Sequence, residues 1–167
     1  KCLHWKNLFP IDEGKRQGEE GVDLYHFAEA LSATSKEWET LVTDSGFIEV
    51  ILPPNVAFGE RNRIVHPASQ GAMGYALPAA IGAHFSGSES VVAVIGDGSI
   101  MMNLQELETI RNYKIPLKIF IVNNGMYSII KRRQVQLFRS RTIGTDPSNG
   151  VTGPDLKVLA NCFGLEY

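Results

Sequence analysis

Two apolar runs stand out against an otherwise mixed chain: Val91-Val92-Ala93-Val94-Ile95 and Leu117-Lys118-Ile119-Phe120-Ile121-Val122. Neither shows a sustained apolar–polar alternation, and such runs mark strands buried on both faces of a parallel sheet. A shorter run, Thr40-Leu41-Val42-Thr43, predicts a further strand that stops at the turn Asp44-Ser45-Gly46. Between the runs the apolar spacing takes the helical period. Leu24, Phe27, Ala28 and Leu31 share one helical face behind Asp23, which suits an N-cap, and a second short helix is expected after Ser35. Residues 47–69 carry Pro53-Pro54 and Pro67 and read as irregular with short helical pieces. From Gly71 to Ala83 small residues recur closely, and Pro78 suits the first turn of a helix there. Leu104, Leu107 and Ile110 form another buried stripe, behind Asn103-Leu104-Gln105-Glu106, which has the form of a capping box with Asn in place of Ser or Thr. A basic helical segment carries Lys131, Arg132 and Arg133, residues 139–153 read as loop, and Pro154 to Phe163 as a last helix before Gly164. Strand and helix alternate throughout. This predicts an α/β fold, a doubly wound, mostly parallel sheet flanked by helices, cut short at its C-terminal end where another strand should begin.

The ends of the two long runs carry the candidate chemistry. The first stops at Gly96-Asp97-Gly98-Ser99 and the second at Asn123-Asn124, with 24 residues between Gly98 and Asn123. That interval holds one helix and its turns. Two parallel strands joined by such a crossover would bring Asp97 and Asn124 to the same sheet edge, where ligands of open α/β sheets bind. A carboxylate and an amide oxygen placed together suit a hard cation such as Mg²⁺, which in turn holds phosphate oxygens. Backbone N–H groups near Gly98 and Ser99 can bind phosphate at the start of the next helix, and Gly98 permits close backbone approach. A nucleotide-binding Rossmann domain is disfavoured, because no Gly-x-Gly-x-x-Gly follows the first strand.

Composition narrows the partners more than the fold. The 167 residues fit one domain with a good core. A net charge of −2 gives no electrostatic reason to expect nucleic acid or an anionic membrane. No apolar stretch approaches the ~18 residues needed to span a bilayer, and Lys1-Cys2-Leu3-His4-Trp5 does not read as a signal peptide, which points to the cytoplasm. Cys2 and Cys162 stand in no metal or redox spacing and read as reduced thiols. Residues 1–20, polar and interrupted by Pro10 and Gly14, read as a linker or N-terminal arm ahead of a domain over 21–167. The start without Met and the end at Tyr167 suggest a piece of a longer protein.

Taken together and in order, the stretches 71–83 (GAMGYALPAAIGA), 94–110 (VIGDGSIMMNLQELETI) and 121–129 (IVNNGMYSI) resemble the diphosphate-binding domain of thiamine-diphosphate-dependent enzymes, in particular acetolactate-synthase-like members. The resemblance implies thiamine diphosphate and Mg²⁺ as cofactors, and a carboligase or decarboxylase acting on a 2-keto acid such as pyruvate. It implies Asp97 and Asn124 as side-chain ligands of the metal and Met126 as a backbone-carbonyl ligand. Gly96, Gly98 and Ser99 fall at the diphosphate, and Tyr127 lies beside the site. Met73 matches the apolar residue that props the cofactor in its bent shape, and the Gly71 carbonyl the acceptor for the aminopyrimidine. The activating glutamate of the family lies on a separate pyrimidine-binding domain, usually of a second subunit. No catalytic residue is therefore assigned in this chain, Glu106 and Glu108 reading as helix cap and surface. A homo-oligomeric full-length enzyme is implied. Two departures from the biosynthetic synthases appear: Arg133 stands where they carry Trp, and no Gln-His-Gln follows Gly46. A non-catalytic or split-subunit diphosphate-binding module, or a 2-keto acid decarboxylase, remains open at this point. His66, just before the Gly-rich stretch, is a further candidate to face the site, while His84 reads as helix surface.

Overall fold

The computed structural model describes residues 21–167 together with His4, Trp5 and Leu8. The expected arm over residues 1–20, apart from those three, and Cys2 within it lie outside the described residues. The elements in chain order are α1 (Leu24–Ala33), β1 (Thr40–Thr43), α2 (Phe47–Asn55), β2 (Arg63–Val65), α3 (Ala76–Phe85), β3 (Val91–Gly96), the single turn α4 (Asp97–Ile100), α5 (Glu106–Tyr113), β4 (Leu117–Val122), α6 (Ser128–Leu137), a 3₁₀ turn at Pro147–Asn149, and α7 (Leu156–Cys162). The four strands form one sheet in the order β2-β1-β3-β4. All pairs are parallel, with Thr40 opposite Arg63 and Val91, and Val91 opposite Leu117. From β1 the chain winds outward through α2 to β2, then crosses back through α3 to β3 and continues through α5 to β4. The winding direction therefore reverses between β1 and β3, which is where open α/β sheets form a ligand crevice.

Both faces of the central strands are covered, as their unbroken apolar sequences require. Val42, Ala93 and Ile95 pack on one side with Leu77 and Ala80 of α3 and Leu107 and Ile110 of α5. Leu41, Val92 and Val94 pack on the other with Ala28 and Leu31 of α1 and Ile48 and Leu52 of α2. Successive strand residues point to opposite faces, so only a strand sandwiched between two helical layers can be apolar throughout. β4 departs from that expectation. Lys118 and Phe120 are exposed on one face of this outer strand, with Phe120 meeting the Phe27 ring edge-on at 5.3 Å.

Several local expectations are revised. Asp23 does cap α1, accepting from the Tyr25 N–H at 2.7 Å. No helix forms after Ser35. The chain turns there and buries Trp38, whose Nε1–H donates to the Leu31 carbonyl at 3.2 Å. The segment read as irregular contains α2, with Pro53 and Pro54 inside its last turn, and the three-residue strand β2. The capping box at Asn103 is absent. α5 begins behind Gln105 with no side-chain cap, and the Asn103 amide instead donates to the Gly74 carbonyl at 2.9 Å. Among the described residues no helix is long and apolar enough to cross a membrane, and Cys162 is a free, exposed thiol.

Candidate cofactor site

A cleft of about 530 Å³ opens at the carboxyl ends of β1, β3 and β4. β1 runs into Ser45 and Gly46, β3 into Gly96–Ser99, and β4 into the Asn124–Tyr127 turn, and all three segments line the cleft. Gly71 and Met73 reach it from the loop between β2 and α3. The cleft thus brings together all nine residues expected from the sequence to surround a cofactor: Gly71, Met73, Gly96, Asp97, Gly98, Ser99, Asn124, Met126 and Tyr127.

At the β3–β4 end, Asp97 and Asn124 belong to one hydrogen-bonded unit. The Gly125 N–H donates to Asp97 Oδ2 at 2.8 Å. Gly125 has φ +65°, a conformation that glycine adopts without steric cost, and it allows the chain to double back. Asn124 Oδ1 accepts from the Met126 N–H at 3.1 Å, and its Nδ2 donates to Ser128 Oγ at 2.7 Å. Tyr127 lies across Gly98 so closely that a Cβ on Gly98 would run into its ring. The requirement for glycine at position 98 is therefore space for an aromatic neighbour.

The turn is held from outside the cleft. The Tyr127 N–H donates to the Thr145 carbonyl at 2.8 Å. Thr145 and its neighbour Asp146 are buried. Asp146 accepts from the Ser148 N–H and hydroxyl and forms an ion pair with Lys131 Nζ at 2.8 Å. The hydrogen bond from Lys131, with that from Ser148, holds the Asp146 carboxyl well below the usual carboxylate range.

At the β1–β2 end, the loop 71–75 is fixed by a carboxylate that sequence reasoning saw only as part of a turn. Asp44 is fully buried. Its Oδ1 accepts from the Ser45 N–H at 2.9 Å and the Gly74 N–H at 3.2 Å, and its Oδ2 from the Ala76 N–H at 2.9 Å. Asp44 thereby satisfies donors at the start of α3. Gly74 has φ +80°, and a Cβ there would lie 2.8 Å from Met102 Cβ. Met73 remains 37 % exposed and faces the cleft. Glu49 also lines the cleft, its Oε2 lying 3.4 Å from where a Cβ on Gly71 would stand.

Glu49 and Asp97 are the charged side chains among the lining residues, and no Lys, Arg or His joins them. The described residues contain no group of three or more His, Cys, Asp or Glu able to hold a metal. A cation here would have to draw on amide, main-chain and ligand oxygens as well as a carboxylate. His66 is not among the lining residues, and its Nδ1 is buried without a hydrogen-bond partner. His84 is half-buried beside Phe85. Arg133 is exposed and outside the cleft. Glu106 accepts from Thr109, and Glu108 pairs with Arg111 on the surface.

Residues 44–167 match the family described as thiamine pyrophosphate enzyme, C-terminal TPP binding domain. The chain belongs to that family. This thiamine pyrophosphate enzyme domain is 32 % identical over 164 residues to the acetolactate synthase large subunit of Parasynechococcus marenigrum (strain WH8102), covering 97 % of the chain and 25 % of that protein. It is 32 % identical over 126 residues to the acetolactate synthase isozyme 2 large subunit of Escherichia coli (strain K12), covering 75 % of the chain and 22 % of the relative. Among solved structures, the thiamine diphosphate-dependent 4-hydroxybenzoylformate decarboxylase of Rhodococcus jostii RHA1 superposes with a TM-score of 0.77 at 28 % identity, over 93 % of the chain and 29 % of that protein. The domain spans about a quarter of the length of these relatives, which therefore carry other domains beside it. It is an acetolactate-synthase-like, thiamine-diphosphate-binding domain with the expected parallel α/β fold.

Proposed function

We propose that the cleft anchors the diphosphate end of thiamine diphosphate through Mg²⁺, within a carboligase or decarboxylase that acts on a 2-keto acid such as pyruvate. The metal is held by the Asp97 carboxylate, the Asn124 amide oxygen and the Met126 main-chain carbonyl. Gly96, Gly98, Ser99 and Tyr127 border the diphosphate. Met73 supports the ring end, where the Gly71 carbonyl accepts a hydrogen bond. The observation that carries this reading is the charge of the cleft: two carboxylates and no basic side chain among the lining residues. A diphosphate entering such a site needs a cation beside Asp97, and the oxygen donors around it suit Mg²⁺. The donor set fits the cofactor in a second respect. Asp97 Oδ2 is oriented by the Gly125 N–H while Oδ1 has no hydrogen-bond partner among the described residues. The chemistry that the cofactor supplies when bound is an electron sink for the loss of carbon dioxide from the 2-keto acid. This domain holds the tail and shapes the apolar wall. A pyrimidine-binding domain, from a second subunit of a homo-oligomer, supplies the activating glutamate.

The test is a calorimetric titration of thiamine diphosphate into the 167-residue chain, with and without Mg²⁺, in the wild type and in Asp97→Ala. Binding is expected to require Mg²⁺ and to be lost in the variant. Equal affinity with and without the metal, in both proteins, would refute the reading. Turnover of pyruvate by the isolated chain would refute the assignment of activation to another domain.

A further inference from the structure

Glu49 is the second charged side chain of the cleft and has no place in the metal site. It is half-buried in the first turn of α2, and its carboxylate has no hydrogen-bond or ion-pair partner among the described residues. Within α2 the carboxylate faces the positive end of the helix, as acidic first-turn residues do, but it makes no capping hydrogen bond. Its Oε2 lies 3.4 Å from the position of a Cβ on Gly71, so the carboxylate borders the loop that carries Met73 into the cleft. The sheet order separates the two acidic groups. Glu49 follows β1, whereas Asp97 and Asn124 follow β3 and β4. Strands lie ~4.8 Å apart, so a ligand reaching from β4 to β1 spans roughly 10 Å. Such a ligand meets the Asp97 carboxylate at one end and the unpartnered Glu49 carboxylate beside Gly71 at the other.

We propose that Glu49 is the counter-charge for a positively charged ring bound at the β1 end of the cleft. On the function proposed above, on which this inference rests, that ring is the thiazolium of thiamine diphosphate. A partly desolvated carboxylate without a partner is stabilised by a cation placed beside it.

The test compares the affinities of two ligands, both with Mg²⁺, for the wild-type chain and for Glu49→Gln. One ligand is thiamine diphosphate. The other is its analogue in which a neutral thiophene replaces the thiazolium. Whatever the wild-type ratio, the substitution is expected to shift it toward the neutral analogue on the order of ten-fold, corresponding to ~1.4 kcal/mol. Affinity for the neutral analogue should itself change little. A purely structural role for Glu49 would weaken both ligands alike and leave the ratio unmoved, which would overturn the proposal. Asp97→Ala acts on the shared tail and weakens both ligands. An unchanged ratio in Glu49→Gln alongside that loss refutes the counter-charge alone, whereas insensitivity to Asp97→Ala refutes the metal site.

Discussion

Replacing Asp44 by Asn removes one negative charge from the centre of the molecule while keeping nearly the same shape. The carboxylate is fully buried and accepts three main-chain N–H groups, from Ser45, Gly74 and Ala76. An amide has one acceptor oxygen. If that oxygen keeps Ser45 and Gly74, the NH₂ group must face the Ala76 N–H, leaving two donors opposed. The loss is one charge-assisted hydrogen bond together with a buried donor left unsatisfied, about 2–3 kcal/mol. For a domain of this size that corresponds to a melting temperature lower by roughly 4–12 °C. Asp44→Ala leaves all three donors without their acceptor and is expected to cost about 4 kcal/mol. Urea unfolding followed by the fluorescence of buried Trp38 gives both numbers. An Asp44→Asn protein within ~0.5 kcal/mol of wild type, with an unchanged denaturant slope, would refute the claim that this carboxylate holds the 71–75 loop.

Gly98→Ala is expected to destabilise the domain by ~1–3 kcal/mol through collision with the Tyr127 ring. Much of that loss should disappear in a Tyr127→Ala background, and a double-mutant cycle with no coupling would exclude the steric explanation. For Asp146 the sign follows from its lowered pKa. The folded state binds the proton less tightly than the unfolded chain, so the stabilisation is present in full above the ordinary carboxylate pKa and is lost as pH falls below it. The stability gap between wild type and Asp146→Asn should therefore hold from about pH 7 to about pH 5 and narrow toward about pH 3. Urea midpoints across that range test this, and a gap as wide at about pH 3 as at about pH 5 would contradict it.

The elements that were legible in the sequence are those whose signal is local and long. β1, β3 and β4 lie where the apolar runs place them, and the turns after β3 and β4 both open into the cleft. β2 escaped notice because Arg63-Ile64-Val65 is too short to display any period. α2 was obscured by Pro53-Pro54, which normally break helices. Both fall in its last turn, where their missing N–H groups remove only the bonds reaching back to Glu49 and Val50. Asn103 was misread for a different reason. Its local pattern fits a cap, but a carbonyl 29 residues away claims the side chain. Asp44 likewise finds its partners 30 and 32 residues on. Such partners are set by how α3 docks on the sheet, and no window of neighbouring residues contains them. The exposed face of β4 was hidden because apolar content alone does not say whether a second layer is present.

Helix α6 buries none of its residues, yet Ser128, Ile129 and Ile130 of its first turn form a wall of the cleft. A helix with so little buried surface belongs to the less protected part of a fold. The ion pair of Lys131 with Asp146 is then what joins this thin wall to the buried Thr145–Asp146 corner.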